Sequence, residues 1–204
     1  MAAKFGPAGN SDSFSAAHKS SLDAPGWIRD FGLDCYEYQC GKGVRVSRET
    51  AVALGERARE ADIALSLHAP YFINLANPAP ESLTKTTGYI LAACEAADWM
   101  GARRVVVHTG ALMKRTRQEA LDIAKGGMTA VLKSCDDAGF THMTLCPETM
   151  GKLNQLGDLE EVLELCTLDE RLIPCVDFGH LYARSLGSDE GLEVTERMLT
   201  RMEE

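Results

Sequence analysis

The sequence predicts an α/β fold in which a parallel sheet is built from about six βα units. Short apolar runs of β type alternate with longer segments rich in Ala, Leu, Glu and Arg, the order expected of parallel strands joined by helices. The run at 105–107 is continuously apolar, as in a strand covered on both faces. Several runs end in a metal-ligating residue type, and α/β barrels place their sites at the carboxyl ends of strands. The predicted fold is therefore TIM-barrel-like, an incomplete eight-fold barrel.

The predicted elements follow one another in a regular order. Strands are predicted at six places, 3–7, 35–39, 64–69, 104–109, 143–148 and 173–178. Helical patterns occupy 48–61, 81–100, 116–138 and 158–167, and a last amphipathic stretch covers 190–204. Pro147 gives up a ladder donor and is the weakest point of the fifth strand. Because no seventh strand precedes residue 204, we expect a single domain over 1–204 that is C-terminally incomplete, with two open sheet edges.

Composition limits the class of protein. The chain has 204 residues, 45% hydrophobic and 25% charged, enough for one substantial core. It has no signal-type apolar segment near the start and no apolar run of the ~18 residues that span a membrane, which predicts a cytoplasmic protein without membrane contact. Seven cysteines without a Cys-x-x-Cys pair predict reduced, structural thiols. The net charge of −9 argues against binding nucleic acid by overall charge, so any phosphate contact needs a local basic patch.

Five candidate metal ligands stand at the ends of the predicted strands. His68, His108 and Glu148 end three strands at equal spacings of 40 residues, and Asp177 and His180 end the sixth. A lone histidine is usually a core or surface residue, but a set that ends successive parallel strands is expected to converge on one point. Two histidines and one glutamate with an open position form a zinc site of catalytic type.

Four motifs carry these residues in order: HAPYFINLAN from His68, VVVHTGA around His108, PETMGK around Glu148 and DFGHLYA from Asp177. Over about residues 35–185 the chain resembles the endonuclease IV family of zinc-dependent apurinic/apyrimidinic endonucleases, within the xylose-isomerase-like TIM-barrel superfamily. It departs from that family where the start reads GPAGNS instead of a Gly-x-His-x-Ser pattern, and where Phe178-Gly179 replaces Thr-Cys.

The resemblance implies a ligand assignment. His68, His108 and Glu148 would hold one zinc, with Glu148 as a catalytic bridge to a second ion. Asp177 would join the second ion and His180 a third. The cofactor would be zinc, up to three ions in the complete family site, with manganese as an alternative and no organic cofactor. The family completes its second and third sites with residues of later strands, so we expect this chain to be a weak or inactive nuclease.

The implied reaction is phosphodiester hydrolysis on the 5′ side of abasic sites in double-stranded DNA, since a bridging carboxylate places two ions for in-line displacement. Tyr71 and Phe72 are expected to enter the base stack, and Arg45, Lys114 and Arg115 to contact phosphates. Other basic residues share the same predicted edge: Lys42, Arg48, Arg117, Lys152 and Arg184.

Other interpretations stay open. The aromatic pair could simply pack its own loop, and the basic residues could be solvated charges. The chain could be a divalent-metal sugar isomerase or epimerase of the same superfamily, although His108 and the FINLAN loop favour the endonuclease IV-like deoxyribonuclease. It could also be a non-catalytic remnant that binds metal. Glu37, a strand carboxylate, receives no role from its spacing.

Overall fold

The computed structural model describes residues 3–188 and 191–203 and has a parallel sheet at its centre. Four strands lie side by side in chain order: β1 Cys35–Gln39, β2 Ala64–His68, β3 Arg104–His108 and β4 Thr144–Glu148. Every neighbouring pair is parallel. The bounds lie within one residue of the predicted ones, and β4 runs through Pro147 without a break. The predicted α/β class and parallel order are confirmed.

The first and sixth predicted strands flank this sheet as irregular extended segments. Ala8 forms a parallel bridge to β1, and Leu172 and Cys175 form parallel bridges to β4. Each segment contains a proline, Pro7 or Pro174, which has no N–H to donate to a ladder. Among the described residues six parallel segments are therefore present in the predicted order, the inner four of them form regular strands, and the barrel they form is incomplete.

Eight α-helices and one short 3₁₀ helix, Ser21–Asp23, accompany the strands in the part of the chain that the structure describes. The α-helices are α1 Asp12–Ala17, α2 Ala24–Asp30, α3 Arg48–Glu60, α4 Pro80–Met100, α5 Arg117–Asp137, α6 Leu159–Cys166, α7 Phe178–Arg184 and α8 Leu192–Glu203. The long helices agree with the predicted segments, and capping boxes start α5 and α6. The short helices α1, α2 and α7 were not predicted. None of the described helices is long and apolar enough to cross a membrane.

The core lies between the sheet and the helices α3, α4 and α5. Leu67, Val105, Val107 and Leu145 are fully buried on the helix-facing side of their strands. Because side chains alternate along a strand, the residues between them point to the opposite face. This alternation places His68, as well as the ends of β3 and β4, on the inner face of the sheet, which we call the lumen face.

Two helical glycines provide a matched test of the packing between α3 and α4. A Cβ on Gly55 of α3 would lie 2.4 Å from the carbonyl oxygen of Met100, at the end of α4, whereas a Cβ on Gly88 would contact nothing within 4 Å. We expect Gly55→Ala to lower the free energy of unfolding by about 1–3 kcal/mol, because backbone must move. Gly88→Ala should raise it by roughly 0.5–1 kcal/mol through helix propensity. Urea denaturation of both variants measures the difference, and equal effects would contradict the close approach.

Candidate metal centre

The ends of β2, β3 and β4 bring three side chains to one point. The Nε2 atoms of His68 and His108 lie 3.2 and 3.0 Å from the same oxygen, Oε2 of Glu148. The side chains are 13%, 13% and 8% exposed, so the cluster is largely closed to solvent. The strand register accounts for part of this geometry, since β3 and β4 pair His108 directly with Glu148.

Backbone carbonyl groups fix the orientation of both imidazoles. Nδ1 of His68 donates to the carbonyl oxygen of Ala69 at 2.8 Å, and Nδ1 of His108 donates to that of Tyr71 at 2.9 Å. A carbonyl only accepts, so Nδ1 carries the proton and Nε2 of each neutral ring presents a lone pair to Glu148. Lone pairs that face a carboxylate need a proton or a cation between them. The set of two nitrogens and one oxygen fits a divalent transition metal such as zinc.

The electrostatics of this cluster favour bound positive charge. Burial alone would raise the pKa of Glu148, but hydrogen bonds that His108 and His68 donate from Nε2 when their rings are protonated outweigh burial and lower its pKa to about 2. Burial would lower the pKa of His68, yet the interactions with Glu148 outweigh burial and raise it. Glu148 is therefore ionised at neutral pH and attracts a proton or a metal ion toward the imidazoles.

The second oxygen of Glu148 faces a second group of ligand atoms. Nδ1 of His180 lies 3.7 Å from Oε1 of Glu148 and 3.5 Å from Oδ2 of Asp177. The same Nδ1 donates to the carbonyl oxygen of Thr149 at 2.8 Å, which leaves Nε2 of His180 as its ligand atom. Glu148, Asp177 and His180 form the second set of residues that could hold a metal ion among those the structure describes. Glu148 is thus shared by two groups, the position expected of a bridging ligand.

Thr149 supports the second group and was not anticipated from the sequence. Its hydroxyl accepts the backbone N–H of Asp177 at 2.8 Å and donates to the carbonyl oxygen of the same residue at 3.3 Å. Its own carbonyl holds His180, and the residue is fully buried. The only sequence signal was its position directly after Glu148. The hydroxyl of Thr109, directly after His108, likewise donates to a loop carbonyl, that of Leu156, at 2.6 Å.

Asn74 ties the loop after β2 to the loop after β3. Its Oδ1 accepts the backbone N–H groups of Ala76 at 3.2 Å and of Ala111 at 3.1 Å. A Cβ on Gly110 would lie only 2.2 Å from this Oδ1, and the φ of Gly110 is +125°. The Asn and Gly of the two motifs therefore have a shared structural role.

The predicted aromatic pair lies at the surface beside the cluster. Tyr71 is 58% and Phe72 42% exposed, and their rings meet edge to face at 5.6 Å. Phe72 also packs against Tyr89 at 4.7 Å, so Tyr71 is the freer of the two. The carbonyl of Tyr71 holds His108, which links this exposed loop directly to a candidate ligand.

The basic residues divide into two classes. Arg45 and Lys114 are exposed and Arg115 is half-buried, and none of the three side chains forms a hydrogen bond or ion pair with the described residues. Arg117 and Arg184 were grouped with the basic residues of the predicted edge, but their guanidinium groups bind the loop after β4 instead of facing solvent. Arg184 donates to the carbonyl oxygen of Lys152 at 2.9 Å, and Arg117 donates to that of Leu153 at 3.3 Å.

Comparison with known proteins identifies the fold family. The family described as Xylose isomerase-like TIM barrel matches residues 25–201. The chain belongs to this family. An uncharacterized protein from Methanocaldococcus jannaschii is 32% identical over 160 residues, which cover 78% of this chain and 57% of that protein. A probable endonuclease 4 from Mycoplasma pneumoniae is 28% identical over 141 residues, 67% of this chain and 48% of the relative. This member of the family spans about half the length of these two relatives.

Solved structures of two activities share the fold. Endonuclease IV from Thermus thermophilus superposes with a TM-score of 0.65 at 22% identity, covering 90% of this chain and 66% of that one. D-psicose 3-epimerase in the presence of D-fructose superposes with a TM-score of 0.66 at 12% identity, covering 84% and 62%. At these identities the likeness shows the xylose isomerase-like barrel fold alone.

The hydroxyl of Thr149 can be tested by isosteric replacement. We expect Thr149→Val to lower the free energy of unfolding by about 1–3 kcal/mol, because the N–H of Asp177 loses a buried partner. We expect the affinity of the Thr149→Val variant for Zn²⁺ to fall about 10–100-fold, as happens when other residues that orient metal ligands are replaced. Urea denaturation and competition with a fluorescent zinc chelator measure the two effects. Thr149→Ser keeps the hydroxyl and serves as the control; a Val variant that matches it in both assays would refute the role.

Proposed function

We propose that this chain forms the metal site of a phosphodiester hydrolase of DNA repair, which cuts on the 5′ side of abasic sites as endonuclease IV does. One observation carries the proposal: among the described residues Glu148 belongs to both groups of candidate ligands, one with His68 and His108, whose Nε2 atoms face its Oε2, and the other with Asp177 and His180. A carboxylate in that position is what a two-metal phosphodiester hydrolase requires.

Each ligand has a defined part in this proposal. His68, His108 and Oε2 of Glu148 would hold the first ion, and Oε1 of Glu148 with Asp177 would contribute to the second. Nε2 of His180 would serve a third. Zinc suits an imidazole-rich set, with manganese as the alternative. When bound, the ions would supply a hydroxide nucleophile at neutral pH and neutralise charge on the phosphate. The carbonyl groups of Ala69 and Tyr71 keep the two imidazoles aimed at the site.

The DNA substrate is supported by names and by charge. The proteins from Mycoplasma pneumoniae and Thermus thermophilus are named as endonucleases of this type. Arg45, Lys114 and Arg115 follow the carboxyl ends of β1 and β3 and form no ion pair with the described residues, so they are available to phosphates. Tyr71 is exposed at the same edge and could enter an unstacked step of the duplex.

We expect slow turnover from these ligands alone. Among the described residues the first site has three ligands, whereas the second and third have only Glu148 with Asp177 and His180. An incompletely ligated cluster holds its second ion weakly and stabilises the leaving oxygen poorly. A metal-binding protein without turnover is therefore one outcome of the tests below.

A sugar isomerase or epimerase is the second candidate. Its specific support is the set of lumen carboxylates, Glu148 and Asp177 together with Glu37, which could bind a divalent ion and sugar hydroxyl groups, and the superposition with D-psicose 3-epimerase. His108 favours the nuclease, because a second imidazole on Glu148 suits zinc and phosphate chemistry better than binding of an ion by oxygen ligands alone.

His108→Ala tests the first metal site. We expect the variant to lose the zinc ion held by His68, His108 and Glu148, with its fold kept, because Nε2 supplies one of three ligands. Elemental mass spectrometry gives zinc per chain. A duplex with one abasic site, with and without chelator, gives the nicking rate, which should be low in the wild type and undetectable in the variant.

His142→Ala is the matched control, since His142 pairs with Asp98 away from the cluster. It should keep its zinc and its nicking rate. Unchanged zinc content in His108→Ala, together with a lower melting temperature, would assign His108 to the core instead. If the wild type binds zinc but makes no chelator-sensitive nick, the metal site is supported and the nuclease function is rejected.

Paired removal of Lys114 and Arg115 tests the DNA contact. Each phosphate contact contributes about one unit to the slope of log K against log salt, so the double alanine variant should lower the slope by about two. Fluorescence anisotropy with an abasic duplex at several salt concentrations measures it. Lys133→Ala removes one charge at the far end of α5, where Lys133 pairs with Asp137, and should leave the slope unchanged. An unchanged slope in the double variant would place the DNA elsewhere.

A further inference from the structure

Glu37 and Gln39 form a polar pair on β1 that the metal ligands do not use. They occupy alternate positions on the strand and share one direction, opposite to that of Tyr36, which is buried against α1 and α2. The strand register pairs Gln39 with His68 and Glu37 with Ser66 of β2. The pair therefore lies on the lumen face, next to the first candidate ligand.

The two side chains present free hydrogen-bonding groups toward the site. Nε2 of Gln39 donates to Oε1 of Glu37 at 2.7 Å. In the described part of the chain this is the only hydrogen bond of either side chain, so Oε2 of Glu37 and Oε1 of Gln39 have no partner there. Burial raises the pKa of Glu37, and the charge of Glu148 adds to this rise while that of His68 opposes it. The register of the four strands places Glu37 on the same face of the sheet as His68 and Glu148.

The segment before α1 holds this pair in place. The N–H of Gly9 donates to the carbonyl oxygen of Glu37 at 2.9 Å. A Cβ on Gly9 would lie 2.9 Å from Cγ of Gln39, and the φ of Gly9 is +77°, where glycine is favoured. The backbone at Gly9 therefore packs directly against the stem of Gln39. The side chain of Gln39 is therefore held at its stem by contact with Gly9 and at its amide by the hydrogen bond to Glu37.

We propose that Glu37 and Gln39 bind a hydroxyl group of the substrate's sugar beside the metal centre. This inference rests on the proposed function and names the part of the substrate that the pair recognises. A carboxylate and an amide oxygen both accept from a hydroxyl, whereas a carboxylate repels phosphate oxygens. Within a DNA strand the oxygens on C3 and C5 of an abasic deoxyribose are esterified to phosphate, so the hydroxyl left for this pair to bind is the one on C1. Base loss creates that hydroxyl, so an intact nucleotide does not have it.

A cycle of substrate and protein changes tests the contact. A natural abasic site carries the C1 hydroxyl, and its tetrahydrofuran analogue does not. We expect wild-type protein to bind the natural site about ten- to a hundredfold more tightly than the analogue, the strength of a hydrogen bond to a charged group. Glu37→Leu, of similar size, should reduce this ratio to near one. Glu37→Gln keeps an acceptor and should restore part of it.

The zinc content and a control variant distinguish loss of the sugar contact from other effects of the substitutions. Zinc per chain should stay at the wild-type value in both Glu37 variants, which separates the contact from damage to the metal site. Glu49→Gln removes an exposed carboxylate from the first turn of α3 and should keep the wild-type ratio. If Glu37→Leu weakens binding to both duplexes equally, or if wild-type protein does not distinguish them, the inference is overturned.

A smaller probe separates this inference from the proposed function. Binding of 2-deoxyribose 5-phosphate and of its 1-deoxy analogue to the zinc-loaded protein can be compared by saturation-transfer NMR. We expect the hydroxylated probe to bind more tightly to the wild type and both probes equally to Glu37→Leu. Preference for the hydroxylated probe without any binding of abasic duplex would retain the sugar contact and reject the nuclease. Equal binding of both probes to wild type would reject the sugar contact.

Discussion

The buried carboxylate of Glu148 is the constraint on which the candidate site depends. An ionised group that is 8% exposed is unfavourable unless positive charge or hydrogen-bond donors compensate it. His68 and His108 face one of its oxygens and His180 faces the other. The ends of β2 and β3 and the start of α7 are therefore positioned around the carboxylate of Glu148. The parallel register and the alternation of side chains bring them there, and the outward-facing side chains of the same strands form the core. Fold and site are therefore built by the same alternation.

Neighbouring loops hold each other's ligands. His108, at the end of β3, is oriented by the carbonyl of Tyr71 from the loop after β2, and His180 is oriented by that of Thr149 after β4. Asn74 adds a further tie between the first two loops. A change in one loop therefore moves a ligand on the next strand. Since Tyr71 is also the most exposed aromatic side chain of its loop, contact of that loop with a partner would be transmitted to His108 through a single backbone carbonyl.

The sequence was sufficient for the regular elements and for the choice of ligand candidates, because both depend on local pattern. Short apolar runs predicted β1 to β4, segments rich in Ala, Leu, Glu and Arg predicted the long helices, and the strand-end position selected the ligand candidates. Short helices such as α7 have too few residues to show a period. The roles of Arg117 and Arg184 depend on carbonyl groups about thirty residues away along the chain, and a count of charges on a loop cannot distinguish a guanidinium that faces solvent from one that binds backbone. The flanking segments were predicted as strands, but Pro7 and Pro174 lack a backbone donor and these segments form isolated bridges instead of ladders.

The distribution of charge separates the two ends of the proposed substrate contact. Carboxyl groups are concentrated on the lumen face, at Glu37, Glu148 and Asp177, whereas Arg45 and Lys114 stand outside it. A phosphate brought into the lumen would meet repulsion unless cations first neutralise these carboxylates. In the proposed function, binding of phosphate and binding of metal would thus be coupled through Glu148, and coupling of this kind is reciprocal: a metal that favours the phosphate would itself be held more tightly by it. The same repulsion would favour neutral sugar hydroxyl groups over phosphate oxygens at Glu37, so the two parts of an abasic nucleotide would contact different walls of one site.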